Sequence, residues 1–195
     1  MKIFSTFIIS SSLLLAQLDN SATITKTGTT AAQFLKIGVD ARASAMGNAF
    51  TAMKGDLSSM YWNPAGLTSI GRMETMFMNS SWLAGIQFTH AAFAINLNAA
   101  GVIGFSMTSL SVPEDMVRTV EKPNGTGEYF DAGDLAMNFT YARKLTDQFS
   151  IGGNIKYIRQ NIWHASASSV AADLGALFVT PFNGIRLGAS LSNYG

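Results

Sequence analysis

The segment Leu135 to Arg143, LAMNFTYAR, alternates oily and small or polar residues without a break. Successive side chains of a strand point to opposite sides, so Leu135, Met137, Phe139 and Tyr141 share one face and Ala136, Asn138, Thr140 and Ala142 the other. The pattern returns in Phe149, Ile151, Gly153, Ile155 and Tyr157 against Ser150, Gly152, Asn154 and Lys156. It returns again in Ile103, Phe105 and Met107 against Gly104, Ser106 and Thr108, and in Leu187, Ala189 and Leu191 against Arg186, Gly188, Ser190 and Ser192. Read this way, the chain predicts seven strands: Met73–Ser81, Ile86–Asn96, Gly101–Leu110, Tyr129–Arg143, Phe149–Trp163, Ser169–Thr180 and Ile185–Asn193. Strands with one greasy side suit either a water-soluble sandwich or a membrane barrel.

Length and connectors favour the barrel. Most of these strands reach the roughly 9 to 11 residues that a tilted transmembrane strand needs. Short connectors near Leu97–Ala100, Lys144–Gln148 and Pro181–Gly184 fall at one end of the strands. The other end carries Leu83–Gly85, His164–Ser168 and the long charged loop Ser111–Glu128. Short turns on one side and a long loop on the other match an outer-membrane barrel. Trp82, Tyr129, Phe130, Tyr141, Phe149, Trp163 and Phe182 lie near strand ends, where aromatic girdles form. Transmembrane helices fit less well. Thr75 to Pro113 contains no Asp, Glu, Lys or Arg, but Asn79, Ser80, Ser81, Gln87, His90, Asn96 and Asn98 break it into pieces too short for an apolar helix.

In hydrocarbon an open sheet edge leaves backbone groups without partners, so a membrane sheet must close. Seven strands are fewer than the smallest single-chain barrels carry, and odd where bacterial barrels are even. The expectation is therefore the front half of a larger barrel, or else a strand count that alternation has set one too low or one too high.

Composition changes the picture in one respect. Only 13% of the 195 residues are charged, against about 25% in an ordinary soluble domain, while 48% are hydrophobic. Small and uncharged polar residues have replaced charge. The net charge of +1 offers no basic field for nucleic acid, and the absence of cysteine excludes disulfides, thiolate metal sites and thiol nucleophiles. Met1–Gln17, with Lys2 ahead of an apolar run that ends at Ala16, reads as a signal peptide. The expected organisation is signal peptide 1–17, N-terminal segment 18–72 and strands 73–195.

The N-terminal segment is distinctive: TTAAQFLKIGVDARASAMGNAFTAMKGDLSSMYWNPAGL, Thr29 to Leu67. Its Ala, Ser and Gly residues suit close packing against a wall, ARASAMGNAFTAM suits a short helix, and Gly38 and Gly47 suit tight bends. Pro64 drives Asn63 out of helical geometry, and Gly66 is expected at positive φ. This stretch resembles the N-terminal signature of the PorV/PorQ family of bacterial outer-membrane proteins, and DLGALF and RLGASLSNYG look like family strand ends. The resemblance implies kinship with FadL-type transporters, all-β barrels of about fourteen strands with an N-terminal plug folded inside. It implies a wall-contacting plug motif at Asn63, Pro64 and Ala65, flanked by Arg42, Gly47 and Gly66. Arg42 and Asp56 have Lys156, Asp173 or Arg186 as possible partners in the lumen, or solvent.

Chemistry beyond this is sparse. The two histidines, His90 and His164, stand at no metal-ligand spacing. Glu128, Asp131 and Asp134 suit a solvated rim better than a Ca²⁺ site. Serine lacks the G-x-S-x-G elbow, and the Gly125/Gly127 loop lacks a phosphate-binding continuation. The sequence thus predicts a non-enzymatic protein without a cofactor. What the resemblance implies is a role in type IX secretion, with outer-membrane lipid, secreted cargo bearing a C-terminal secretion domain and other secretion components as partners. The alternative is FadL-like transport of hydrophobic small molecules, with a pocket bordered by Phe50, Met53, Met60 and Trp62. A soluble β-sandwich that binds a partner is the third reading.

Overall fold

The structure, a computed structural model, describes residues 31–195. The proposed signal peptide lies outside the described residues. Seven strands form one antiparallel sheet in chain order: β1 Met73–Ser81, β2 Gln87–Asn96, β3 Val102–Met116, β4 Tyr129–Lys144, β5 Phe149–Ile162, β6 Ala165–Val179 and β7 Arg186–Tyr194. Among the described residues the sheet is open, with β1 and β7 as its edges. No helix of the described residues is long and apolar enough to cross a membrane.

Two strands run further than their alternation predicts. β3 continues past Leu110 to Met116, pairing Asp115 with Phe130 across an irregularity after Val112. β6 begins at Ala165 rather than Ser169, paired with Ile162 of β5. The reason is that hydrophobic alternation marks where one face is apolar, whereas the backbone ladder continues wherever a partner strand does.

Turns close where the backbone can reverse. Trp163 and His164 alone join β5 to β6, with Trp163 at φ 51°. Asn183 and Gly184 take φ 46° and 71° between β6 and β7, while Thr180 N–H donates to Ile185 O at 2.9 Å.

The two faces differ sharply. Paired across β2 to β6, Ala94, Gly104, Thr140, Asn154 and Asp173 form one row of the first face, and Ala92, Ser106, Asn138, Lys156 and Ala171 form the next. All the polar members of these rows are buried. On the second face Phe93, Phe105, Phe139 and Ile155 form a row that is bare, with Phe139 55% and Ile155 64% exposed. This inverts the arrangement of a water-soluble sheet, which hides its oily side.

The first face is covered by the N-terminal segment. It comprises a 3₁₀ turn Gln33–Lys36, α1 Ala41–Ala45, α2 Ser59–Trp62 and a second 3₁₀ turn Pro64–Ser69. Helix α1 is shorter than ARASAMGNAFTAM suggests, because Gly47 and Asn48 turn the chain at φ 62° and 67°. Two apolar clusters seat the segment. Leu57, Met60, Leu67 and Ile70 pack with Ala92, Ala94, Val102 and Ala142, and Phe34 and Leu35 pack with Ala136, Ile158 and Ala171.

Candidate functional site

The interface between segment and sheet is built from a corner at Asn63. Asn63 is extended, at φ −157°, as the following proline requires. Its side-chain oxygen accepts from Ala65 N–H at 3.1 Å and so starts the second 3₁₀ turn. Its amide donates to Thr51 O at 2.7 Å within the segment and to Ala176 O of β6 at 3.0 Å. One buried side chain thus bonds two carbonyls and one N–H and ties the segment to β6.

Glycine makes the approach possible. A Cβ on Gly152 of β5 would lie 2.5 Å from the Pro64 carbonyl carbon and 2.6 Å from Ala65 N. A Cβ on Gly175, its partner on β6, would meet Asn63 Oδ1, and one on Gly188 of β7 would meet Thr51 O. The segment's backbone therefore lies directly on the sheet's backbone along a track without side chains. Gly66 departs from the sequence expectation. It does not take positive φ; a Cβ there would lie 2.6 Å from Met53 O, so its role is room for the neighbouring loop rather than a turn.

Beyond the glycine track the contacts are polar. Asn154 Nδ2 donates to Met60 O at 2.9 Å and to Asp173 Oδ2 at 2.6 Å. Gln160 Oε1 accepts from Ala32 N–H at 2.8 Å, while its amide donates to Asp134 at 3.1 Å. Lys156 Nζ sits 2.7 Å from Asp173 Oδ2, and both side chains are at most 5% exposed. The Tyr61 ring centroid lies 6.0 Å from that ammonium, and its hydroxyl donates to Leu35 O and Ile37 O. Burial, and secondarily the negative charge of Asp173, push the Tyr61 hydroxyl above its ordinary range. It is a neutral donor.

The charged groups pair differently from the sequence expectation. Arg42 reaches neither Lys156, Asp173 nor Arg186; it pairs with Asp56 and stands 5.0 Å from the Phe50 ring centroid. The reason is position: α1 holds Arg42 on the exposed side of the segment, where Asp56 and Asp40 are nearer than the sheet. Arg186 instead points at Met53 Sδ, 3.8 Å away. Phe50 and Met60 are fully buried, Met60 with its methyl toward Gly104; Met53 and Trp62 are half-buried, and Trp62 Nε1 donates to Val39 O at 3.1 Å. Asn154, Gln160 and the glycines of β5 to β7 were missed as site residues, although their place on the small and polar strand face was the signal that marks them.

The sequence profile of the type IX secretion system protein PorV matches residues 20–184 of the chain. The chain belongs to the PorV family. No curated protein sequence matches it. As a PorV-family member, the chain has a type IX secretion-related function. The matched region takes in the Asn63 corner, the glycine-track residues Gly152 and Gly175 and the Lys156–Asp173 pair.

Proposed function

We propose that this PorV-family chain contributes to an outer-membrane β-barrel of FadL-like architecture, about fourteen strands when complete, with the segment around Asn63 as its plug. The observation that carries this reading is the bare oily face. From Phe149 to Tyr157 on β5 the outward side chains are Phe, Ile, Gly, Ile and Tyr, ending at the exposed Arg159. At ~3.4 Å per residue that run is about 27 Å long, or roughly 21 Å high at a ~40° tilt, close to the ~25 Å apolar band of outer-membrane barrels. Exposed Trp82, Tyr129 and Trp163 sit at the long-loop end and Tyr141 and Phe182 at the other, as girdles would. Hydrocarbon around this face requires the β1 and β7 edges to be paired by further strands.

Within type IX secretion we propose a non-catalytic role, handling or anchoring cargo that carries a C-terminal secretion domain. The Val117–Glu128 loop beyond the long β3–β4 ribbon is the contact we favour, since it is exposed, charged and the longest strand-to-strand connector among the described residues. Transport of hydrophobic molecules has less support, because Phe50 and Met60 are fully buried in packing.

Two measurements test this. The full-length protein should fractionate with the outer membrane and migrate on gels in a heat-modifiable manner; recovery in the soluble fraction would remove the barrel. Co-purification of a C-terminal secretion domain should be lost when Val117–Glu128 is deleted, and its persistence would remove the loop as the contact.

A further inference from the structure

The last strand carries an irregularity tied directly to the N-terminal segment. Ala172 pairs with Tyr194 and Leu174 with Leu191, so Asp173 of β6 alone faces Ser192 and Asn193 of β7. Asn193 takes φ 58°, a left-handed conformation that costs on the order of 1 kcal/mol unless its surroundings hold it. What holds it is charge. Asp173 Oδ1 accepts the Asn193 N–H at 2.7 Å, and Lys156 Nζ donates to Asn193 Oδ1 at 2.8 Å while pairing with Asp173 Oδ2 at 2.7 Å. The backbone N–H and the side-chain oxygen of Asn193 are thus both gripped by one ion pair. The ion pair in turn is covered from the other side by the segment: the Tyr61 ring lies over Lys156, and Asn154 bridges Asp173 to the Met60 carbonyl.

We propose that Tyr61, Lys156, Asp173 and Asn193 form a relay that couples seating of the N-terminal segment to the geometry of the β7 edge. With the segment seated, Lys156 is confined beneath an aromatic face and low exposure strengthens its attraction to Asp173. The pair then has one arrangement, and that arrangement pins the bulge. With Tyr61 lifted, water reaches the ammonium, the pair loosens and Asn193 is released. Bulges bend a strand and increase its twist, so the relay sets the curvature with which β7 meets whatever strand adds to it. Seating of the segment therefore accompanies or precedes extension of the sheet past β7. The coupling needs no particular cargo and stands apart from the secretion role.

The test is amide hydrogen exchange of the β7 end in the full-length protein in detergent. Tyr61→Leu removes the ring and is expected to speed exchange at Asn193 about tenfold, the scale of local openings, while amides of the β2–β3 ladder keep their rates. Tyr61→Phe keeps the ring and drops only the hydroxyl bonds to Leu35 and Ile37, so Asn193 is expected to stay protected. The neutral pair Lys156→Gln with Asp173→Asn is expected to speed Asn193 exchange by itself and to make Tyr61→Leu silent when combined with it. Two outcomes overturn the relay: unchanged Asn193 exchange in Tyr61→Leu, or an equal effect of Tyr61→Leu with and without the charge pair. Should Tyr61→Leu not fold, the charge-pair variant decides alone, and unchanged Asn193 exchange there is equally fatal.

Discussion

Asn63 of the N-terminal segment donates a 3.0 Å hydrogen bond to the Ala176 carbonyl of β6, across 113 residues of sequence. The same amide group holds Thr51 O, and its oxygen caps the turn that Pro64 opens. Asn63→Ala removes all three bonds, two of them to the half-buried carbonyls of Thr51 and Ala176. Expected is a loss of about 2 to 3 kcal/mol, read as a lower midpoint of thermal or denaturant unfolding in detergent. A loss below about 0.5 kcal/mol would mean that the corner is held by packing alone.

The glycine track predicts a contrast between glycines. Gly152→Ala places a methyl against the Pro64–Ala65 backbone and Gly175→Ala one against the Asn63 side-chain oxygen and the Pro64 ring, and each should destabilise by about 1 to 3 kcal/mol through overpacking. Gly133→Ala, whose Cβ would meet nothing closer than Leu110 O at 3.5 Å, should be near neutral. Equal effects at all three positions would show that strand glycine matters here for some reason other than the segment's close approach.

Lys156 and Asp173 are a buried pair, so the single and double replacements should differ in kind. Lys156→Met strands a carboxylate at 1% exposure and should cost about 3 to 5 kcal/mol, whereas Lys156→Met with Asp173→Leu should recover much of that. Chemical denaturation of both variants measures it. A double variant no better than the single one would contradict the pairing.

Ile155 reports what surrounds the bare face. It is 64% exposed at the middle of the oily band. Ile155→Arg should cost about 2 to 4 kcal/mol in a bilayer, and lower the yield of outer-membrane-inserted protein. In water the same change would be harmless or would improve solubility, so an unaffected variant speaks against lipid.

Tyr61 carries the pH prediction. Its folded-state value lies above the ordinary 10.0, chiefly through burial. The folded state therefore favours the neutral phenol, and its contribution is fully present below pH 10 and declines as the pH climbs past that value towards the raised one. Ultraviolet titration of the folded protein should show a tyrosine that stays protonated well past the ordinary 10.0, and that Tyr61→Phe abolishes. Stability above pH 10 should fall less steeply in Tyr61→Phe.

What the sequence determined by itself was local. Period-two alternation follows from the geometry of an extended chain, so the two faces of β4 and β5 and the number of strands could be read without a partner in view. So could the extended Asn63, since the Pro64 ring alone forbids the helical alternative. The ladder beyond Leu110 and the strand residues ahead of Ser169 could not, because there both faces are wet and only the neighbouring strand keeps the backbone extended.

Tertiary structure decided everything that depends on who meets whom. Arg42 and Lys156 look alike as lone cations on small-residue backgrounds, yet one pairs locally with Asp56 on an exposed helix and the other is buried against Asp173. Gly66 reads as a turn and Gly152 as one more small residue on a strand face, but each is there because another backbone passes where a Cβ would stand. Close approach and ion pairing are set by distances between residues far apart in the chain, and those distances exist only once the segment lies on the sheet.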